Sequence, residues 1–169
     1  MIASVKDYIQ IKERLNLKLG NVEIKVGDAR NTKLPDNSVD GIITSPPYSV
    51  ALDYVQNDIH SLKDLGYDIS KIREDFIGVR GNGKSKIELY NEDMKKSYKE
   101  IYRVLKPNRY TVIVIGNATY EGKEIKTAEF TIEYMESLGF KLVKNINKTI
   151  FGLYNVMKKE NILIFKKEM

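Results

Sequence analysis

A hydroxyl, two prolines and an aromatic ring follow one another in Thr44-Ser-Pro-Pro-Tyr48, directly after a short apolar run. Proline fixes φ and has no backbone N–H, so Pro46 and Pro47 stiffen the turn and leave neighbouring carbonyls free to accept hydrogen bonds. An exocyclic amine could donate to those carbonyls, and the ring of Tyr48 offers a flat surface beside them. These residue types in this order predict a pocket for a flat base.

Two further segments carry residues that could bind a ligand. Gly27-Asp-Ala29 follows an alternating apolar segment and places a carboxylate in a loop. The stretch 78–86 is rich in glycine and basic residues, which predicts an exposed loop. Its cations Arg80, Lys84 and Lys86 could follow a nucleic-acid backbone, although a solvated charged loop explains them equally well.

The composition limits the classes of chemistry and predicts one domain over residues 1–169. With no cysteine there are no disulfides and no thiolate metal ligands, and the single histidine, His60, argues against a zinc centre. These two counts predict no metal. The net charge of +5 suits a nucleic-acid partner but is weak support alone. The lack of a membrane-length apolar stretch and of a signal-peptide core predicts a cytoplasmic protein with no membrane partner.

The periodicity of apolar residues predicts strands that alternate with helices, which indicates an α/β fold with a mainly parallel sheet. Residues 39–44 are almost continuously apolar, which is typical of a strand covered on both faces. Thr127 resembles a helix N-cap. The last two strands would form an antiparallel pair at the sheet edge. The predicted helices are 4–19, 51–65, 69–76, 87–105 and 127–138, and the predicted strands are 22–26, 39–44, 110–115, 140–146 and 161–166.

The segment Asp40-Gly-Ile-Ile-Thr-Ser-Pro-Pro-Tyr48 resembles motif IV of the amino-methyltransferases, which methylate cytosine N4 or adenine N6 in DNA. Arg103-Val-Leu-Lys-Pro107 before a strand, followed by Gly116-Asn117, is similar to later motifs of the same family. The resemblance implies a Rossmann-like class I methyltransferase sheet, S-adenosylmethionine as cofactor and DNA as substrate. Family members usually carry arginine two residues after Tyr54, where this chain has Gln56.

The resemblance also implies roles for individual residues. The hydroxyl of Ser45 and the carbonyl of Pro46 would accept from the target amine, and Tyr48 would stack on a base flipped out of the duplex. Asp28 would accept from the adenine amine of the cofactor, with Ala29 leaving room for the ring. The implied catalytic residues are Ser45, Pro46, Pro47 and Tyr48, and the implied cofactor contacts are Asp28, Ala29, Thr44 and Asn117.

One part of the family pattern is missing from this sequence. Nothing between Met1 and Asp40 matches the glycine-rich cofactor loop that follows a first strand, and the only Gly-x-Gly, Gly81-Asn-Gly83, follows no predicted strand. The sheet would then lack its first strands. A separate polypeptide could supply them, the flanking strands could pair directly, or another copy of the chain could fill the gap. The leading hypothesis is a subunit or fragment of a split methyltransferase.

Three functions remain open at this point. The first is a DNA methyltransferase or a subunit of one, with cytosine N4 favoured over adenine N6 because serine stands first in the motif at position 45. The second is a catalytically inactive, methyltransferase-like subunit that binds nucleic acid or regulates a partner. The third is an RNA guanine-N2 methyltransferase, although those enzymes usually have aspartate where this chain has Ser45.

Overall fold

The computed structural model describes residues 2–18, 20–48, 52–120, 122–149 and 159–169. Within these residues, strands and helices follow one another in the mixed order expected of an α/β fold. The helices are α1 (Ile2–Arg14), α2 (Tyr54–Asn57), α3 (Ile59–Asp64), α4 (Ile69–Asp75), α5 (Lys84–Val104) and α6 (Thr127–Ser137). The strands are β1 (Val39–Thr44), β2 (Leu105–Ile115), β3 (Ala118–Tyr120), β4 (Lys123–Ile125), β5 (Phe140–Thr149) and β6 (Lys159–Lys167).

Four of the strands form one sheet in the order β1-β2-β6-β5. Strands β1 and β2 run parallel, with Thr44 opposite Ile113, whereas β6 is antiparallel to both β2 and β5. The α/β class and the antiparallel pair at one edge are therefore confirmed. The predicted sheet was mostly parallel, while the described sheet has one parallel pairing and two antiparallel ones, because the chain returns to the sheet interior through β6.

The core lies between this sheet and helices α5 and α6. Helix α5 presents the buried side chains of Tyr90, Met94 and Tyr98, which recur every four residues and so lie on one face. These side chains pack on the apolar residues of β2 and β6. The core cluster is Tyr90, Met94, Tyr98, Leu105, Ile113, Ile115, Ala128, Met135, Phe140, Leu163 and Phe165.

A buried cation joins the end of α5 to the end of β6. The Nζ of Lys167 donates to the carbonyl oxygens of Tyr102, at 2.7 Å, and Leu105, at 2.8 Å, and to Asn37 Oδ1. It also lies 4.3 Å from the centre of the Tyr102 ring. Burial lowers the pKa of Lys167. Because these carbonyls lie at the C-terminus of α5, the ammonium occupies the negative end of the helix dipole.

Two predictions about the first part of the sheet are wrong. Residues 22–26 form no strand, and the side chains of Val22, Ile24 and Val26 are 85%, 91% and 101% exposed. Strand β1 lies at the sheet edge, where Ile43 is 83% exposed, rather than covered on both faces. The segment 22–26 has the alternation of a strand, but a strand needs a hydrogen-bonded neighbour, and no described residues supply one. The face of β1 that carries Ile43 is left uncovered by the described residues.

Other predicted boundaries differ by a few residues. Helix α1 ends at residue 14 rather than 19, and the helix predicted over 51–65, whose first residue lies outside the described part, is divided into α2 and α3. Strand β2 begins at Leu105 because the chain enters the sheet through an irregular pairing opposite Val39. The N-cap of α6 is Lys126, with Thr127 inside the helix. The short hairpin of β3 and β4 was not predicted.

Candidate active site

The turn of Ser45, Pro46, Pro47 and Tyr48 leaves the carboxyl end of β1. Since β1 and β2 are parallel, Gly116-Asn117 after β2 lies at the same edge of the sheet. Ligands of open α/β sheets bind at this edge. The turn is anchored on the core, because the hydroxyl of the buried Tyr90 on α5 donates to the carbonyl oxygen of Pro47 at 2.9 Å. The carbonyl of Pro47 therefore holds the turn against α5.

The side chain of Tyr48 is half-buried and bonded at its tip. Its hydroxyl donates to Glu160 Oε1 at 2.6 Å, and its backbone N–H donates to the hydroxyl of Tyr54 at 3.3 Å. Burial and the bond to Glu160 raise the pKa of Tyr48 to about 12. The phenol is therefore protonated at neutral pH, and its ring is held in place beside Ser45.

Glu160 is the residue of this site that sequence reasoning missed. It lies on β6, 112 positions from Tyr48, and its Oε2 is 3.3 Å from Nζ of Lys148 on β5. Lys148 and Glu160 are direct partners in the antiparallel pairing of β5 with β6. The sequence holds no local signal for this contact, because it depends on the register of two strands and on the approach of β6 to the turn.

A cavity of about 430 Å³ opens beside Ser45, between β1 and α5. Its walls combine aliphatic and aromatic side chains with the Ser45 and Pro46 side of the turn. Tyr48 is not among its lining residues. Besides Ser45 and Pro46, the walls include Ala29, Ile42, Ile43, Thr44, Pro47, Met94, Tyr98 and Ile101. The cavity is apolar enough to take a flat ring or an apolar side chain, with Ser45 as a polar group at its rim.

A second cavity, of about 380 Å³, brings the loop of Asp28 and Ala29 to the turn. Pro47 lines it together with these two residues and with Phe76 and Ile77 at the end of α4. The sequence predicted separate roles for the two segments, and the structure places them around one space. Pro47 and Ala29 line both cavities, so the two spaces adjoin.

Arg30 holds Asp28 in that position. Its backbone N–H donates to Asp28 Oδ1 at 2.8 Å and its Nη2 donates to Asp28 Oδ2 at 2.9 Å. The same guanidinium donates to Asp75 at 2.6 Å and to the buried Asp93 of α5 at 3.2 Å. These bonds, above all the side-chain bonds of Arg30, lower the pKa of Asp28. Asp28 is thus an ionised acceptor fixed against α4 and α5.

The three cations of the basic loop differ in their surroundings. The Nη2 of Arg80 donates to Asp93 Oδ2 at 2.7 Å, so part of its guanidinium neutralises a buried carboxylate. Lys86 is half-buried, and the side chain of Lys84 lies outside the described part. A nucleic-acid contact for this loop stays a prediction.

Asn117 has a clear structural use. Its Oδ1 accepts from the N–H of Ala128 at 3.0 Å, which satisfies a free donor at the start of α6, and its Nδ2 donates to Glu124 at 3.2 Å. A contact of Asn117 with a cofactor therefore stays a prediction, as does one of Thr44, which pairs with β2 and lines the larger cavity.

A match to a protein-family model shows which proteins this chain is related to. Residues 39–168 match a family model described as DNA methylase. The chain belongs to the DNA methylase family. The resemblance predicted from Ser-Pro-Pro-Tyr is thereby confirmed, and the turn, Thr44, Asn117 and Glu160 all lie inside the matched segment. Asp28 and Ala29 precede it, so the family match does not bear on them.

Solved structures share the fold of this family member. The PvuII DNA methyltransferase, described as cytosine-N4-specific, is 16% identical over 89% of this chain and 50% of its own, with a TM-score of 0.59. A protein from Thermus thermophilus, described as a DNA modification methylase and crystallised with S-adenosyl-L-methionine, is 21% identical over 85% of this chain and 52% of its own, with a TM-score of 0.54. A methyltransferase from Methanosarcina mazei, described as SAM-dependent, is 13% identical over 90% of this chain and 70% of its own, with a TM-score of 0.55. At these identities the likeness shows the fold.

The chain spans about half the length of the Thermus thermophilus and PvuII structures that it matches. A search of curated proteins finds no match. In the part of the chain that the structure describes, no helix is long and apolar enough to cross a membrane. Among the same residues, no group of three or more histidine, cysteine or acidic side chains is arranged to hold a metal ion.

Proposed function

We propose that this chain is an S-adenosylmethionine-dependent DNA methyltransferase, or a subunit of a split one. It transfers a methyl group to the exocyclic amine of a base flipped out of the duplex, with cytosine N4 favoured over adenine N6. The observation that carries this proposal is Ser45-Pro-Pro-Tyr48 at the carboxyl end of β1, inside the segment that matches the DNA methylase family.

The reaction needs positioning and electrostatics more than covalent help from the protein. The lone pair of an aromatic amine is delocalised into its ring, and acceptors for the two amine hydrogens help to localise it. The hydroxyl of Ser45, which is exposed at the rim of the larger cavity, and the carbonyl of Pro46 are the acceptors. Tyr48 stacks on the base, whose target atom is out of reach inside the duplex.

The residues present fit the adenine end of the cofactor. Asp28 offers a fixed, ionised acceptor for an amine, and Ala29, Phe76 and Ile77 give its cavity apolar walls for a ring. When bound, S-adenosylmethionine supplies an electrophilic methyl carbon on a positively charged sulfur. For the methionine end, the chain has no glycine-rich loop after a strand, since Gly81-Asn-Gly83 leads directly into α5.

The open edge of β1 supports a separate polypeptide as the source of the missing strands. Ile43 on β1 and the segment 22–26 expose aliphatic side chains that a strand pair would cover. A second copy of this chain is a poorer candidate, because its own Gly81-Asn-Gly83 has no strand before it. The structure is equally compatible with the second candidate function, an inactive subunit that keeps the fold and lacks the cofactor loop.

Mass spectrometry of nucleosides tests the reaction. DNA and RNA are incubated with S-adenosylmethionine and with the chain purified from its native cell together with any bound protein. We expect N4-methylcytosine in DNA that is absent with the Ser45→Ala and Tyr48→Ala variants. Formation of N6-methyladenine would instead identify adenine as the target base, and formation of N2-methylguanine in RNA would identify RNA as the substrate. Absence of any methylated nucleoside together with tight DNA binding would favour the inactive subunit.

Isothermal titration of S-adenosylmethionine into the pure chain tests the split arrangement. We expect weak binding, which tightens when the partner is present. Tight binding by the chain alone would contradict the need for a second polypeptide, while leaving the methyltransferase proposal in place.

A further inference from the structure

The carboxylate of Glu160 on β6 is held against the hydroxyl of Tyr48 in the Ser-Pro-Pro-Tyr turn. Its side chain is 12% exposed, and its two carboxylate oxygens have different partners. Oε1 accepts from the hydroxyl of Tyr48 at 2.6 Å, and Oε2 lies 3.3 Å from Nζ of Lys148, a side chain that is 60% exposed. The short contact is therefore the one to Tyr48.

The direction of this hydrogen bond determines the next one. A phenol has a single proton, and Tyr48 donates it to Glu160. The oxygen of Tyr48 lies 3.5 Å from Ser45 Oγ, a contact in which either atom could by itself be the donor. Because the proton of Tyr48 is already used, Ser45 is the donor in this contact. The lone pairs of Ser45 Oγ then remain available to an incoming amine.

We propose that Glu160 is a positioning residue that acts through Tyr48 to orient the Ser45 hydroxyl as an acceptor for the target amine. The inference rests on the proposed function, and it assigns a role to a residue on β6. In the hydrogen-bonded series Ser45–Tyr48–Glu160, each hydroxyl donates to the next group, and the carboxylate of Glu160 accepts the last hydrogen bond. Without Glu160, Tyr48 would be free to donate to Ser45 and to occupy one of its two lone pairs, in competition with the amine.

Binding of a short single-stranded oligodeoxynucleotide tests this role without requiring catalysis. Oligonucleotides with one cytosine, one adenine or one thymine in an otherwise identical abasic-flanked context are titrated into the chain, purified together with any protein bound to it, and binding is followed by fluorescence anisotropy. We expect Glu160→Ala to weaken binding of the cytosine or adenine oligonucleotide by about fivefold, the loss of one hydrogen bond. Thymine has no exocyclic amine, so its oligonucleotide should bind the variant and the wild type alike.

A double-substitution cycle separates positioning from a structural role. Phenylalanine at position 48 has no proton to give to Ser45, so Glu160→Ala in the Tyr48→Phe background should change binding less than about twofold. An equal loss in both backgrounds, or an equal loss with the thymine oligonucleotide, would overturn the inference. Glu168→Ala removes an exposed carboxylate beyond the end of β6 and serves as the matched control.

A tyrosine titration of the chain alone gives a second readout. The ultraviolet difference between the wild type and Tyr48→Phe isolates the ionisation of Tyr48, and Glu160→Gln should lower its pKa while burial still keeps the pKa above the usual value. An unchanged pKa would overturn the inference and leave the proposed function standing. Failure of the wild-type chain to bind any of the oligonucleotides would instead count against the proposed function, and with it the inference.

Discussion

Tyr48 is fixed by contacts at the peptide group that precedes it and at its hydroxyl. The preceding carbonyl, of Pro47, accepts from Tyr90, its own N–H donates to Tyr54, and its hydroxyl donates to Glu160. A ring that is already ordered loses less conformational entropy when a base stacks on it. At the scale of single residues, the site is therefore organised before its substrate arrives.

Substitution of Tyr48 separates the ring from the hydroxyl. Stacking on an aromatic ring contributes about 1 to 3 kcal/mol per base, so Tyr48→Ala should weaken oligonucleotide binding by that amount. Tyr48→Phe keeps the ring and should cost less. Tyr67→Ala removes an exposed ring that follows α3 and is the matched control. Equal losses for the alanine and phenylalanine variants, measured by anisotropy, would contradict a stacking role.

The carboxylate of Glu100 should make stability depend on acid. Arg103, with additional bonds from Thr32, lowers the pKa of Glu100 to about 2, from 4.5. The charged form is favoured in the folded state, so its stabilisation is complete above about pH 4.5 and is lost as pH falls toward 2. Glu100→Gln should lower the free energy of unfolding at pH 7 by roughly 2 to 3 kcal/mol. Urea unfolding at pH 7 and at pH 3 measures both effects, and a loss of the same size at both values would contradict this assignment.

Residue types and spacing were enough to predict the resemblance to the DNA methylase family, and the family match confirms that resemblance. They were not enough to find Glu160 or the ties of Arg30 to Asp75 and Asp93, because those contacts join positions 45 to 112 apart in the chain. Long-range contacts depend on packing and strand register, which a single sequence states only indirectly. Asn117 was predicted from the resemblance to contact the cofactor. In the structure its amide bonds to the first turn of α6 and to Glu124, which no local pattern in the sequence indicates.

At the scale of elements, helix α5 organises both halves of the site. One face carries Tyr90, which holds the turn. Another carries Asp93, Ser97 and Glu100, all buried and spaced as neighbours on one helical face. Asp93 binds Arg30, and Glu100 accepts from the N–H and hydroxyl of Thr32. The helix thus fixes the loop of Asp28 relative to the turn.

Removing the buried carboxylate of Asp93 should release that loop. Asp93→Asn leaves the guanidinium groups of Arg30 and Arg80 without their shared counter-charge, and breaking a buried pair typically costs about 3 kcal/mol. Hydrogen exchange should show faster exchange over residues 28–32 than in the wild type, beyond any uniform change. Glu88→Gln alters an exposed carboxylate on the same helix and should leave exchange unchanged. Unaltered protection of residues 28–32 in Asp93→Asn would contradict the role of Asp93 in holding this loop.

Helices whose apolar faces are buried were predicted well, whereas the strand predicted over 22–26, which has no partner strand among the described residues, was not. Helices α4, α5 and α6 and strand β1 fall close to where periodicity placed them. The apolar faces of α5 and α6 meet partners within the chain. The predicted strand over 22–26 has the right alternation and no ladder to join.

At the scale of the whole molecule, β1 is an edge strand of the sheet, and none of the described residues pairs with its outer side. Single exposed aliphatic side chains are ordinary, but Val22, Ile24, Val26 and Ile43 are each more than four-fifths exposed. The proposed separate polypeptide would cover this edge of β1.

Polar substitutions in the segment 22–26 test that arrangement. These side chains contribute no buried area, so a triple change of Val22, Ile24 and Val26 to serine should alter the free energy of unfolding by less than about 0.5 kcal/mol per site. The same variant should lose the partner when purified from the native cell. Leu65→Ser, at a position 73% exposed elsewhere, is the control. Undiminished co-purification of the triple variant would show that the partner binds another surface.

Photo-crosslinking gives the most direct test that the turn receives an extruded base. The chain, with any protein that purifies with it, is irradiated with an oligonucleotide that carries 5-iodocytosine at one position, and the crosslinked peptide is identified by mass spectrometry. We expect the crosslink at Tyr48, and its loss in Tyr48→Leu with no loss in the Tyr67→Leu control. Crosslinks confined to other residues, or an undiminished yield in Tyr48→Leu, would contradict the account.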